Sequence, residues 1–321
     1  NGIFSRFSSF GCHENYLTYG TNALIGDTAS AFIPFLITRQ ILDGAGMWLN
    51  KDSFFFSPRA LSMRRAFSSG TTADRGIINS KGLTDYGYLK RLHLICGDSN
   101  ILEFSIYLKM GTTALVLALI ESGMTPATPC LQPAENMQEL SKIYDPFAPL
   151  IQVGAYRYLC AFDIQTMYAE IVRKELSYGE FESEETEAEL KHVMLCWEQT
   201  LNAIYHRDTA WMVGRLDHAT KKFLGDQAIR RYVSDDSQEK NNILKDLDIL
   251  YHGVTDRSLQ ERMNVQWSNR RIVTERDILD AMIQPPARTR ATYRSAYINL
   301  LAQHNDVHAE HIDWTGFGIE T

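Results

Sequence analysis

The feature that most constrains the fold of this chain is the segment Leu89–Gly97, in which apolar and polar side chains alternate. A period of two predicts a β-strand that presents different chemistry on its two faces. Leu92, Leu94 and Cys96 form one face, and Arg91, His93 and Ile95 form the other. The chain is therefore expected to build a sheet around this strand.

Other segments have the pattern of helices. Ala31–Leu42 is apolar, with Pro34 expected in the first turn, where proline is tolerated. Thr112–Glu121 is typical of a buried helix that Gly123 ends, and Phe162–Leu176 is amphipathic. A further short helix is predicted at Thr274–Ile283, where Thr274 as N-cap and Asp277 three residues later form a near capping box. Strands early in the chain and helices later favour an α+β fold over a regular βαβ alternation.

Charge and cysteine content narrow the class of protein. The formal net charge is −7, which argues mildly against a general nucleic-acid binder. The five cysteines are scattered singly, so they are expected to be reduced thiols rather than a disulfide framework or a zinc site. The longest apolar run, Ala114–Ile120, is too short to cross a bilayer. These observations predict a cytoplasmic protein with neither membrane nor nucleic acid as a partner.

Two clusters of polar residues are candidates for a binding site. His13, Glu14 and Asn15 follow one another after Gly11, and such a run suits ligand or metal contact, although polar loops are more often only solvated. Arg91 and His93 share one strand face, where two cations can hold phosphate or carboxylate oxygens. The turn that follows contains Asp98 and Asn100. The alternative is a surface strand whose turn uses Asp and Asn for local hydrogen bonds alone.

No P-loop, G-x-G-x-x-G, G-x-S-x-G or H-E-x-x-H motif is present in the chain. If the protein uses ATP, the nucleotide is therefore expected on a scaffold without a P-loop.

Several segments, in order along the chain, resemble the Pup ligase and depupylase family, whose members act on a small ubiquitin-like protein called Pup. The matching segments are Cys12–Leu17, Pro34–Gly46, Arg75–Asn79, Arg91–Asn100, Leu108–Glu121, Leu247–Met263, Gln284–Ser295 and His311–Trp314. Collinear matches over nearly the whole chain are more specific than any single motif. The resemblance implies a fold similar to glutamine synthetase, with a curved antiparallel sheet that cradles ATP and helices behind it. It places the catalytic domain at residues 1–275 and the start of a small C-terminal domain at residues 276–321.

The resemblance also implies an activity. An ATP-dependent ligase would join the C-terminal glutamate of Pup to substrate lysines through a γ-glutamyl phosphate, which marks proteins for proteasomal degradation. ATP and Mg²⁺ would be the cofactors, and Pup and lysine-bearing proteins the partners. Two alternatives stay open: a depupylase or Pup deamidase on the same scaffold, and a catalytically incomplete relative that binds Pup. Cys12 and the sequence of Gly97–Asn100 favour the ligase, whereas Gly111–Ala114 and Gln284–Pro286 favour the depupylase.

The family's functional residues carry over to particular positions of this sequence. The residues that the resemblance assigns to the nucleotide site are Trp314, Arg91, His93, His13, Asn15, Asp98 and Asn100. Glu14 is the candidate metal ligand. The catalytic aspartate and further magnesium-binding carboxylates are expected upstream of Asn1, so the chain is expected to be an N-terminally truncated fragment without the full reaction. The segment Ser80–Thr84 departs from the charged sequence that the family has there.

Overall fold

The computed structural model describes residues 11–19, 27–80, 85–86, 89–124, 126, 131–153, 155, 157–179, 181, 183–231, 236–253, 259–287, 289–303, 308–312 and 317–320. The chain divides into two compact units, Asn1–Arg271 and Ile272–Thr321. The sequence-based domain boundary lies four residues later, after residue 275.

The described strands are β1 (Gly11–Tyr19), β2 (Met47–Asn50), β3 (Ser53–Phe55), β4 (Met63–Ser68), β5 (Arg75–Asn79), β6 (Asp85–Tyr86), β7 (Leu89–Asp98), β8 (Ile151–Val153), β9 (Arg157–Leu159), β10 (His308–Ile312) and β11 (Phe317–Glu320). Five of them form one sheet in the order β1-β7-β5-β4, with β6 added to β7. Its pairings are antiparallel except that of β4 with β5, which is parallel. The remaining strands form the two-stranded sheets β2–β3, β8–β9 and β10–β11.

The described α-helices are α1 (Asp27–Thr38), α2 (Gln40–Asp43), α3 (Glu103–Glu121), α4 (Pro133–Ile143), α5 (Ala161–Leu176), α6 (Glu184–Tyr205), α7 (Thr209–Met212), α8 (Asp217–Arg231), α9 (Ser237–Tyr251), α10 (Leu259–Gln266), α11 (Glu275–Ile283) and α12 (Arg290–Gln303). Most strands precede most helices, so the predicted α+β class is confirmed. α11 also begins as predicted, because Thr274 and Asp277 form a reciprocal capping box.

The core lies between the large sheet and the helices. Leu92, Leu94 and Cys96 are buried, as the alternation in β7 predicts. Behind them, the Phe35 ring of α1 packs edge-on against Tyr168 of α5 and Trp197 of α6, with ring centroids 5.6 and 6.0 Å apart. Burying each such ring contributes roughly 1.5–3 kcal/mol. This aromatic cluster fixes the helices against one face of the sheet, and the other face carries Arg91 and His93 together with Ile95, which is also buried.

Two helices differ from their sequence-based bounds. Pro34 lies inside α1 rather than in its first turn. The Thr38 hydroxyl donates a 2.7 Å hydrogen bond to the Pro34 carbonyl, and the helix is interrupted at Arg39 before α2 begins. α3 begins at Glu103, nine residues before Thr112, because its first half is held by buried contacts of Phe104, Leu108 and Lys109 rather than by an apolar run.

Helix α3 is the one helix in the described part of the chain with the length and hydropathy of a membrane span. In this structure 61% of the relevant window is buried inside the protein, as in the core helix of a folded domain.

Candidate functional site

The polar face of the large sheet is built by the neighbouring strands β1 and β7. Asn15 is paired with His93 across the two strands, and Leu17 with Arg91, so these residues lie on the same face. A register shift between Cys12 and Glu14 marks a bulge beside His13. Because side chains alternate along a strand, this face is opposite to the one that Leu92 and Leu94 bury against the helices.

Four of the residues predicted for the nucleotide site meet on this face. His13 Nδ1 lies 3.1 Å from His93 Nε2, and the two rings are tilted by 56° with centroids 5.1 Å apart. Arg91 Nε donates a 2.8 Å hydrogen bond to the Asn15 side-chain oxygen. The two strands therefore bring together an imidazole pair and an oriented guanidinium.

Two arginines join the cluster that the sequence did not assign to the site. Arg59, in the loop after β3, donates from Nε to the Ile95 carbonyl at 2.8 Å and places a guanidinium nitrogen 3.5 Å from His13 Nε2. Arg75, the first residue of β5, is oriented by a 3.0 Å bond from its Nε to the Thr71 carbonyl. The sequence offered one indication of Arg75, because this residue begins a segment that resembles the family. It offered none of Arg59, whose approach to His13 depends on tertiary contacts.

Gly11 makes room for Arg59. A Cβ at position 11 would lie 2.6 Å from Arg59 Nε and 2.8 Å from the guanidinium carbon. The side chain of Arg59 therefore lies directly against the start of β1, which explains how a residue of the loop after β3 reaches His13.

Burial and the positive charge of this cluster lower the pKa values of its two histidines. Burial lowers the pKa of His13, and the charges of Arg59, Arg75 and Arg91 lower it further. Burial, Arg91 and His13 lower the pKa of His93 to about 4. Both imidazoles are therefore neutral at pH 7, because a further positive charge there is unfavourable.

The arginines of this face are oriented by neutral oxygens rather than by acids. Within the described ranges, no ion pair joins a carboxylate to Arg59, Arg75 or Arg91. Burial and the charge of Arg75 lower the pKa of Arg59, against the opposing charge of Asp98. In addition, His93 Nδ1 is buried and has no hydrogen-bond partner. Such a face is suited to bind an anion with several oxygens, such as a phosphate.

Glu14 lies on the opposite side of β1 from His13 and Asn15. Its side chain is buried, accepts two hydrogen bonds from Arg39 and one of 2.7 Å from the Tyr16 hydroxyl. The predicted role of Glu14 as a metal ligand is not supported by this geometry, because both carboxylate oxygens already serve buried donors.

Asp98 and Asn100 also act inside the fold rather than on the polar face. Asp98 accepts hydrogen bonds from the backbone N–H groups of Ala45 (2.9 Å) and Arg59 (3.0 Å). Asn100 donates to the Asp43 carbonyl at 2.7 Å and to Asp217 at 2.9 Å. The structure thus separates these two residues from the cluster that the resemblance placed them in, since their polar atoms are used to hold loops together.

Magnesium does not fit the described residues of this site. Mg²⁺ takes oxygen ligands, preferably carboxylates, whereas the polar face presents guanidinium and imidazole groups. Among the described residues no group of three or more His, Cys, Asp or Glu side chains is placed to hold a metal ion. Trp314 and residues 81–84 lie outside the described residues, so what was predicted for them stays a prediction.

A family model described as Pup-ligase protein matches residues 1–317 of the chain. Among individual relatives, the Pup--protein ligase of Paenarthrobacter aurescens (strain TC1) is 34% identical over 306 residues, which are 93% of this chain and 65% of the relative. The Pup--protein ligase of Corynebacterium kroppenstedtii is 32% identical over 339 residues, covering 99% of this chain and 69% of the relative. The chain thus spans about two thirds of the length of the curated relatives that it matches.

Two solved structures are similar in fold. The crystal structure of the complex between Pup and its ligase PafA matches with a TM-score of 0.76 at 29% identity, over 95% of this chain and 62% of that chain. The structure of PafA in complex with ADP matches with a TM-score of 0.75 at 30% identity, over 95% and 67%.

Proposed function

The chain belongs to the Pup-ligase protein family, and from this premise we propose that it acts as an ATP-dependent ligase that attaches Pup to protein lysines. The reaction would join the C-terminal glutamate of Pup to the lysine amine by an isopeptide bond and so mark the substrate for proteasomal degradation. The names of the relatives support the reaction, and the solved complexes of PafA with Pup and with ADP support the two ligands.

The observation that carries the proposal is the positive charge of the polar sheet face, where no carboxylate of the described residues pairs with Arg59, Arg75 or Arg91. In the proposed reaction the γ-phosphoryl group of ATP passes to the γ-carboxylate of the Pup glutamate, and ADP leaves. The lysine amine then attacks the carbonyl carbon, loses a proton and expels inorganic phosphate. The first step moves negative charge between phosphate and carboxylate oxygens, and the second places it on the carbonyl oxygen and then on the departing phosphate; positioned arginines stabilise both. Arg59, Arg75 and Arg91 are the residues that would bind these oxygens.

The imidazole pair has a separate role in the proposal. His13 and His93 are neutral, so each ring carries one N–H donor and one acceptor nitrogen. Because they hydrogen-bond each other, the orientation of one ring depends on the other. Nδ1 of His93 is buried and has no hydrogen-bond partner, so a ligand would reach it only after neighbouring side chains move.

Mg²⁺ enters the proposal only as the usual companion of ATP. The described residues do not fit the ion, so no step of the reaction is assigned to it.

We further propose that residues 1–275 form the catalytic domain and residues 276–321 the start of a small C-terminal domain, and that the protein works in the cytoplasm.

A Pup-binding relative without full catalysis is the second candidate. It is favoured by the chemistry of the described part of the polar face, which offers cations for an acidic ligand but no free carboxylate. A depupylase would use the same face to hold the isopeptide glutamate.

The first experiment measures binding of ADP by calorimetry to the chain and to two variants, Arg91→Gln and Arg173→Gln. Arg173 lies on α5 in the helical layer and serves as the matched control. Loss of a guanidinium–phosphate contact is expected to weaken ADP about tenfold or more in Arg91→Gln, and not in Arg173→Gln. Equal affinities in all three proteins would remove the polar sheet face as the nucleotide site.

The second experiment separates the three activities. The protein is incubated with ATP and magnesium, once with Pup ending in glutamate and a lysine-bearing acceptor, and once with a preformed conjugate. A new conjugate band is expected for a ligase. Loss of the preformed conjugate alone would indicate the depupylase, and binding of Pup with neither reaction would indicate the incomplete relative.

A further inference from the structure

A cavity of about 460 Å³ lies within the first compact unit, away from the polar sheet face. None of its lining residues belongs to the five-stranded sheet; they come from α2, the segments that follow β3 and α4, the end of α6, α7 and α8. The volume falls within the range of pockets that bind small molecules. This cavity plays no part in the function proposed above.

The inner part of the cavity is aromatic and apolar. The Phe56 and Tyr144 rings lie 4.4 Å apart, and Phe147, Met212 and Phe223 contribute further apolar surface. Phe147 also packs against Phe162, with the rings tilted by 43° and 5.1 Å between centroids. A flat or branched apolar group would therefore find a surface that is already assembled.

His218 holds this surface in place without charging it. One ring nitrogen, Nε2, donates to the Ile41 carbonyl at 3.0 Å, and the other, Nδ1, accepts from the Tyr144 hydroxyl at 3.1 Å. Burial lowers the pKa of His218 to about 4 and raises the pKa of the Tyr144 phenol, so both groups are neutral. Because these polar atoms are satisfied within the protein, they leave the inner surface free for apolar contact.

The rim of the cavity, in contrast, carries three cations. Lys222 pairs with Asp226 at 2.8 Å, and Arg207 lies 3.6 Å from Asp145 and over the Phe147 ring. Arg230 is exposed, and within the described ranges no acid pairs with it. The two acids near the rim are thus occupied, and Arg230 is the cation whose charge is left for a ligand.

We propose that this cavity binds a small amphipathic anion, with its apolar body against Phe56, Tyr144 and Phe147 and its carboxylate, sulfonate or phosphate group at Arg230. The division between an uncharged inner surface and a cationic rim selects for that combination. A purely apolar molecule would gain nothing from Arg230, whose exposed guanidinium would stay hydrated, and a purely polar one would leave the aromatic surface uncovered.

The test uses two dyes that differ in one charged group. The anion 8-anilinonaphthalene-1-sulfonate and its uncharged analogue N-phenyl-1-naphthylamine are titrated by fluorescence into the folded chain. Wild type is expected to bind one equivalent of the anion more tightly than the analogue. Arg230→Gln is expected to weaken the anion about fivefold and leave the analogue nearly unchanged. Arg231→Gln, at the exposed next position outside the cavity, is the matched control and is expected to change neither.

Filling the cavity tests the apolar part. Gln227→Trp and Thr209→Trp introduce an indole from two different elements, so a folding defect in one variant leaves the other as a test. Each is expected to weaken both dyes about tenfold while the thermal unfolding temperature stays near that of wild type. Binding that is unchanged in the folded tryptophan variants, or equal losses in Arg230→Gln and Arg231→Gln, would overturn the proposal.

Addition of ADP separates this site from the nucleotide site. The dye is expected to remain bound in saturating ADP, because the cavity and the polar sheet face share no residue. Competitive displacement of the dye by ADP would show that the cavity is itself the nucleotide site and would overturn the inference, whereas absence of ADP binding would affect only the proposed function.

Discussion

Arg39 forms a bidentate ion pair with Glu14 beneath the large sheet, with 2.9 Å between Arg39 Nη1 and Glu14 Oε2 and a second bond from Nη2 to Oε1. The side chains are 3% and 0% exposed. Arg39 stands at the interruption between α1 and α2, and its Nη1 also donates to the Thr113 hydroxyl of α3 at 2.6 Å. The pair therefore joins strand β1 to three helices.

Breaking this pair is expected to destabilise the fold strongly. Arg39→Met leaves the buried Glu14 charge without its partner, which costs about 3–5 kcal/mol of unfolding free energy. In Glu14→Gln the loss is expected to be smaller, because Arg39 keeps a second carboxylate, Asp43, at 3.4 Å from its Nε. The double variant is expected to lose less than the sum of the two, because the Glu14 charge no longer remains unpaired. Chemical denaturation of the four proteins gives the coupling energy. The exposed pair Lys191–Glu187 on α6 is the control, where Lys191→Met should cost less than about 1 kcal/mol; an equally small effect at Glu14 would contradict the structural role.

Acidification is expected to remove the stabilising contribution of His218. Its folded-state pKa of about 4 lies below the ordinary value of 6.5, so the unfolded chain binds the proton first as pH falls. The contribution is therefore complete above pH 6.5 and is lost as pH falls toward 4, at up to about 1.4 kcal/mol per pH unit. The stability difference between wild type and His218→Gln, measured by urea denaturation at pH 7, 6 and 5, should shrink. A constant difference would show that His218 does not resist protonation.

Asp43 is expected to have the opposite pH dependence. Burial raises the pKa of this carboxyl to about 7, against the opposing effect of Arg39 and Lys109. The folded state therefore holds a proton that the unfolded chain releases near pH 3.8. The contribution of Asp43 to the free energy of unfolding is therefore complete below pH 3.8 and is lost as pH rises toward 7. Relative to Asp43→Asn, wild type should be more stable at pH 5 than at pH 8 in the same denaturation assay, and the reverse order would refute the raised pKa.

Gly111 is expected to resist replacement although it lies inside helix α3. Alanine normally stabilises a helix interior by about 1 kcal/mol relative to glycine. Here a Cβ would lie 2.6 Å from Val193 Cγ1 of α6, so Gly111→Ala should instead destabilise by about 1–3 kcal/mol. In the background of Val193→Ala, where that methyl group is removed, the same change should be neutral or stabilising. A loss of equal size in both backgrounds would locate the cause elsewhere.

Local patterns predicted a useful part of this fold. The alternation in Leu89–Gly97 indicated strand β7 and both of its faces, and the pair Thr274 and Asp277 indicated the start of α11. These patterns succeed because strand pleating and helix capping involve residues that are neighbours in sequence. The first half of α3 escaped prediction, since its buried residues include Ser105 and Lys109, which satisfy their polar groups through distant contacts.

The sequence by itself determined that a polar run at His13–Asn15 and a cationic strand face at Arg91 and His93 belong to one family of folds. Only the tertiary structure decided which of those residues can meet a ligand. Successive residues of a strand face opposite sides, so His13 and Asn15 lie on the polar face while Glu14 is turned toward Arg39, a residue 25 positions away. Arg59 completes the cluster from a loop, because Gly11 leaves space for it. Such pairings depend on the approach of distant segments, and no local pattern encodes them.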